Sequence, residues 1–164
     1  MDIFWEELTS GLPNARQLVH VLIRLISATL LGAAIGIQRE RAGKPAGVRT
    51  HVLVTLGTAV FVTACSAVGM SSDGLSRVIQ GIVTGIGFIG AGSILKLTEE
   101  LDVKGLTTAA SIWMTAAIGV AVGLGSLGVA LLSTLFTLII LGVAGLYDFQ
   151  AEKRQAENIG GKDD

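Results

Sequence analysis

RVIQGIVTGIGFIGAGSILK, residues Arg77–Lys96, holds the hexapeptide GIGFIG at Gly85–Gly90, which spells G-x-G-x-x-G. That pattern cradles a pyrophosphate only as a turn between a buried strand and a helix. No strand-length unit bounded by turn residues comes before it here. The acids that follow, Glu99, Glu100 and Asp102, arrive roughly ten residues on, whereas a ribose-binding acid stands about twenty on. Glycine has a simpler use in a membrane helix: without a Cβ it lets a second backbone approach closely. Gly81 and Gly85 form G-x-x-x-G, and Gly87, Gly90, Ala91 and Gly92 extend the small surface. The stretch is read as a packing helix, expected at the centre of a bundle.

Composition agrees with a membrane setting. Of 164 residues, 51% are hydrophobic and 15% charged, and the mean hydropathy is +0.68. Soluble domains carry about 25% charge. Twenty-two glycines against two prolines favour close backbone packing over a low-complexity linker. A net charge of -1 offers no basic face for nucleic acid. Cys65 is alone, so no intramolecular disulfide can form.

Apolar runs of about twenty residues match a hydrocarbon layer roughly 30 Å thick at about 1.5 Å of helix rise per residue. Five such runs occur, near Leu18–Ile37, His51–Gly69, Val78–Leu95, Leu106–Leu124 and Leu127–Leu146. The fold expected is an all-α, polytopic bundle of five transmembrane helices with glycine-rich packing. It divides into an extracytoplasmic segment (1–17), a five-helix domain (18–146) and a cytoplasmic tail (147–164). The acidic start, with Asp2, Glu6 and Glu7, is unlike a signal peptide. Phe4, Trp5 and Leu8 there suit a short interfacial helix or a disordered arm.

Lys and Arg set the expected orientation. Arg39, Arg41, Lys44, Arg49, Lys96, Lys104, Lys153, Arg154 and Lys162 fall on one side; only Arg16 and Arg77 fall on the other. That places the N-terminus outside and the C-terminus in the cytoplasm.

Polar residues inside spans ask for partners. His20, Arg24, Ser27, Leu31, Ala34 and Gln38 recur at helical spacing, so they share a face expected to point inward. Asp73 either caps its helix in SSDG or pairs with Arg24 or Arg77, with Gln80 and Thr84 continuing the stripe. Lys104, Thr107/Thr108, Ser111 and Thr115 form another stripe, bonded to their own backbone or lining a polar cavity. His20 and His51 lie on opposite sides and cannot share a metal. Neither a catalytic residue nor a cofactor site is expected, so the chain is read as a non-enzyme.

GAAIGIQRERAGKPAGVRTHVLVTLGTA, SDGLSRVIQGIVTGIGFIGAGSIL and VKGLTTAASIWMTAAIGVAVGLG follow one another over residues 18–146. In that order they resemble the MgtC/SapB family of membrane proteins: the acidic–basic cluster with G-K-x-A-G-x-R-T-H, the glycine helix, and the G-L-T-T-A-A-S-x-W segment. Arg24, Glu40, Arg41, Arg49, Asp73, Arg77, Gln80, Thr107, Thr108 and Ser111 fall on polar positions of that pattern and form the candidate functional cluster; Trp113 falls on the pattern too. Gln38 stands where the family often has an acid. The chain resembles a short branch that lacks a soluble C-terminal domain.

The resemblance implies a bacterial inner-membrane protein of a virulence-associated family linked to magnesium homeostasis. It assigns no metal ligand. Two functions fit: a regulator that acts through another membrane protein, or a small transporter or channel for Mg2+ or another solute. Intramembrane acids, usual on a cation path, are missing from the five runs, which favours the regulator. Gly32/Gly36 and Gly119/Gly123 form two further G-x-x-x-G pairs, and three small faces exceed what five helices bury, so a homodimer is expected.

Overall fold

The computed structural model describes Ile3, residues 15–96 and residues 103–160. The expectations for the acidic N-terminus, for Glu99, Glu100 and Asp102, and for Lys162 lie outside these residues. Five helices follow in order: α1 (Ala15–Arg41), α2 (Val48–Ala67), α3 (Ser72–Gly92), α4 (Leu106–Gly123) and α5 (Leu127–Gly160). Between α3 and α4 stands a small antiparallel hairpin, β1 (Leu95–Lys96) against β2 (Val103–Lys104), with Leu95 opposite Lys104. The first four helices are long and apolar enough to cross a membrane, and α5 adds the apolar stretch Leu127–Val143. The chain is a helical bundle of the multi-pass membrane class.

Helix ends follow local chemistry. Ser71 caps α3 by accepting a hydrogen bond from the Gly74 amide at 3.2 Å. Asp73 is therefore not the cap; it sits in the first turn, where its charge suits the helix dipole. Glu40 Oε2 accepts from the Val48 amide at 3.1 Å and so places an anion at the start of α2. Gly125 turns the chain after α4 with φ +81°, a conformation that glycine adopts without strain. At the far end, residues 147–160 of the expected tail are helical and continue α5 to Gly160.

The helix that touches all the others is α4, which is also the most buried. α2 packs most extensively on α1 and next on α4, while α3 leans chiefly on α4, and α5 lies against α4 and α1. Glycine explains this arrangement. A Cβ on Gly32 would lie 2.8 Å from the His51 carbonyl oxygen, and one on Gly36 would lie 2.5 Å from Val48 Cα. Further along the same face, a Cβ on Gly119 would lie 3.0 Å from Thr55 Cα, and one on Gly123 would lie 2.9 Å from the Ala59 carbonyl oxygen. Two G-x-x-x-G faces thus meet the one buried face of α2 at backbone contact, α1 near its start and α4 further along. An apolar core of Ala28, Ile35, Ala59, Ile118, Val122, Ala130 and Leu141 fills the remainder.

These contacts correct one reading. Gly32/Gly36 and Gly119/Gly123 pack inside the chain, so of the three small faces one is left open. Conversely, Gly81, Gly85 and Gly87 are exposed, and a Cβ on any of them would meet nothing within 4 Å. Gly90 alone of that set is buried, at ordinary contact with Ala109. The glycine helix is peripheral, with Ile86 and Gly90 as its buried residues. Close approach at Gly32 and Gly36 also rotates α1. Its buried line is Ala28, Gly32, Ile35, Gly36 and Arg39, so Arg24, Ser27 and Gln38 flank the core, half-buried, and His20 is exposed.

Candidate functional site

A buried polar network occupies the end of the bundle where α1 meets α2. Arg39, 2% exposed, donates from Nη2 to Thr108 Oγ1 at 3.0 Å. His51, the fourth residue of α2, is fully buried between Gly47 and α4. Its Nδ1 lies 3.0 Å from the Gly47 carbonyl oxygen, and its Nε2 lies 3.3 Å from Ser111 Oγ. A carbonyl only accepts, so Nδ1 carries the hydrogen and Nε2 of the neutral ring is an acceptor. The Ser111 hydroxyl then has one hydrogen for two acceptors, His51 Nε2 and the Thr108 carbonyl oxygen at 2.8 Å. Further in, hydroxyls turn back on their own helices: Thr55 to the His51 carbonyl, Thr58 to Val54 and Thr55, and Thr115 to Ser111. Such bonding satisfies a hydroxyl without a channel or a ligand.

Arg24 is settled at the opposite end. Its Nη1 donates at 2.8 Å to the carbonyl of Gly123, the last residue of α4. A helix C-terminus leaves carbonyls unpaired and carries partial negative charge, so a cation there satisfies both. The glycine at 125 makes room, since a Cβ would lie 2.8 Å from Arg24 Nη2. Of the two partners expected for Asp73, Arg24 is not the one it meets among the described residues. Beside Arg24 lies a polar recess of about 280 Å3 lined by Gln17, His20, Thr63 and Ser66.

Asp73 does pair, with Arg77 one turn along α3, but both side chains are about three-quarters exposed (76% and 73%). An exposed pair contributes only about 0–1 kcal/mol, so the expected buried cluster does not form. Gln80 is exposed as well, and Thr84 bonds back to its carbonyl at 2.9 Å. At about 100° per residue, Asp73, Arg77, Gln80, Thr84, Gly87 and Ala91 share one strip, and all are exposed. It faces away from Ile86 and Gly90, the buried residues of α3.

The structure thus divides the sequence candidates. Thr108 and Ser111 join the buried network, whereas Thr107, Glu40, Arg41 and Arg49 are exposed near that end. Trp113, about half exposed, lines an apolar groove against Ile79 and Ile82 of α3. Sequence reasoning missed Arg39 and His51 as network members. The signal was His51, Thr55 and Thr58 at helical spacing on α2, matching Thr108, Ser111 and Thr115 on α4. Gln38 Oε1 is buried without a hydrogen-bond partner, at the position where the resembled family often has an acid. Among the described residues no group of three or more His, Cys, Asp or Glu could hold a metal ion.

Comparison with known proteins agrees with the fold. Protein SrpB of Synechococcus elongatus is 46% identical over 129 residues, covering 72% of this chain and 71% of its own. "Putative magnesium transporter YhiD" of Escherichia coli K12 is 43% identical over 74% of this chain, and Protein MgtC of Salmonella typhimurium is 44% identical over 71%. The matched stretch spans 59% of YhiD and 49% of MgtC. No solved structure matches. Residues 25–147, which hold most of the first apolar segment and the other four, the glycine contacts on α2 and the polar strip of α3, match the profile described as the MgtC family, and the chain belongs to that family.

Proposed function

We propose that this protein is a non-enzymatic regulator in ion homeostasis that acts on another membrane protein from within the bilayer. Mg2+ is the ion to which the name of YhiD points. One observation carries the reading: among the described residues the bundle is close-packed where α1, α2 and α4 meet. Glycines bring α1 and α4 to backbone contact with α2, and the hydroxyls beneath His51 are spent on their own helices. These features suit a scaffold better than a cation path.

The same reading places the protein in a bacterial inner membrane, with the N-terminus outside. Its support is that Arg39, Arg41, Lys44, Arg49 and Lys104 stand at one end of the bundle. Labelling of a cysteine at Lys44 from outside intact cells would overturn that orientation.

Purified protein in liposomes loaded with a Mg2+-sensitive dye tests the function. The expected result is no uptake above that of empty liposomes, together with co-purification of a second membrane protein from native membranes. Saturable uptake that Arg39→Gln or Gln38→Glu alters would establish the transporter instead.

A further inference from the structure

The polar strip of α3 points away from the bundle that owns it. In a soluble protein that would be ordinary. In a helix long and apolar enough to cross a membrane, it puts Gln80 about 10 Å along the axis from Asp73, and Thr84 deeper still, at about 1.5 Å per residue. Lipid offers an amide no hydrogen-bond partner, and polar side chains at that depth face protein or water. Nothing among the described residues covers them: Gln80 and Thr84 are exposed, and a Cβ on Gly87 would meet nothing within 4 Å.

We propose that this strip is the interface of a two-fold homodimer, with α3 packed against α3 of a second copy. The chemistry selects the occupant. A two-fold axis along the membrane normal sets parallel copies of α3 at equal depth, so Gln80 meets Gln80 of the partner subunit. An amide both donates and accepts, and so bonds its own copy. Asp73 and Arg77 carry opposite charges one turn apart, so although like residues lie level, each can reach its complement diagonally, one turn along the partner helix. Gly87 and Ala91 then allow close approach at the other end of the helix. A different protein would have to bring that same series of groups at those same depths.

The dimer does not depend on the regulatory reading, since a transporter could dimerise through the same face. Cysteine cross-linking in native membranes tests it, with Cys65→Ser removing the native thiol. Thr84→Cys and Gly87→Cys on the strip are compared with Val129→Cys, exposed on α5, and Gly57→Cys in the apolar groove between α2 and α3. The strip variants are expected to give at least tenfold more disulfide-linked dimer than the two controls. Gln80→Leu is expected to lower the dimer fraction at least tenfold in a detergent concentration series, while its monomer peak stays monodisperse. Equal yields at all four positions, or dimer mainly from Gly57→Cys, would overturn the interface. Cross-links of a mass other than twice the chain would replace the second copy with another protein. Unchanged dimerisation of Gln80→Leu would remove the amide as its determinant.

Discussion

Gly119→Ala and Gly85→Ala make the same chemical change in the same kind of motif and should act in opposite directions. At Gly119 the added methyl would lie 3.0 Å from Thr55 Cα, and closer still to Thr58 Oγ1 and the Thr55 carbonyl oxygen. Two of these three atoms are backbone and cannot swing aside, so the overpacking penalty of about 1–3 kcal/mol should sit at its upper end. Alanine's higher helix propensity offsets about 1 kcal/mol. The net loss is about 2 kcal/mol, roughly thirtyfold in the folding equilibrium. At Gly85 the methyl meets nothing within 4 Å, so only the propensity gain of about 1 kcal/mol remains. At about 2–4 °C per kcal/mol for a chain of this size, Gly119→Ala should melt about 4–8 °C lower. Gly85→Ala should melt about 2–4 °C higher by the same scale. Thermal loss of the monodisperse peak in detergent, followed by size-exclusion chromatography, measures both. Shifts of the same sign, or parental melting of Gly119→Ala, would refute the claim that α4 meets α2 at backbone contact.

Arg24→Met should destabilise the bundle by about 1.5–3 kcal/mol, since it removes a charged donor from the end of α4. Arg49→Gln, at an exposed position, should stay within about 0.5 kcal/mol in the same denaturation series. His51→Phe keeps a ring of similar size but forfeits the bonds to Gly47 and Ser111, at a cost of about 1–3 kcal/mol. Its thermal melting should fall well below that of Glu40→Gln, which removes only a helix-terminus charge, worth about 0.3–1 kcal/mol.

The sequence disclosed the helices far better than their faces. Apolar runs broken by GLGS or MSSDGLSR mark where helices begin and end, because a bilayer demands length and composition. Which side of a helix turns inward is another matter. In water, apolar periodicity points to the core, but lipid is as apolar as leucine and removes that signal. Three G-x-x-x-G pairs therefore looked alike, although two meet α2 at backbone contact and the pair at Gly81 and Gly85 is open. The assumption that polar residues point inward held for Thr108, Ser111 and Thr115 and failed for Gln80 and Thr84. Arg24 was rightly expected to need a partner. That the partner would be a backbone carbonyl was not legible, because every helix has such an end and no side chain marks it.

Arg24 also sets a problem in time. It precedes the carbonyl that receives it by 99 positions. Ribosomes add about 5–20 residues per second, so the guanidinium waits roughly 5–20 s for α4 to be made. Until then α1 lies in the bilayer with a cation whose final acceptor does not exist. A long arginine side chain can meanwhile reach lipid phosphates. The newborn helix is thus held by headgroups first and by protein later, and the arrival of Gly123 draws the cation inward. A cysteine at position 24 should react with an impermeant maleimide in chains arrested before Leu106 and be shielded in chains arrested after Gly160. Shielding already in the shorter chains would mean that α1 and α2 alone enclose the site, with no handover from lipid to helix.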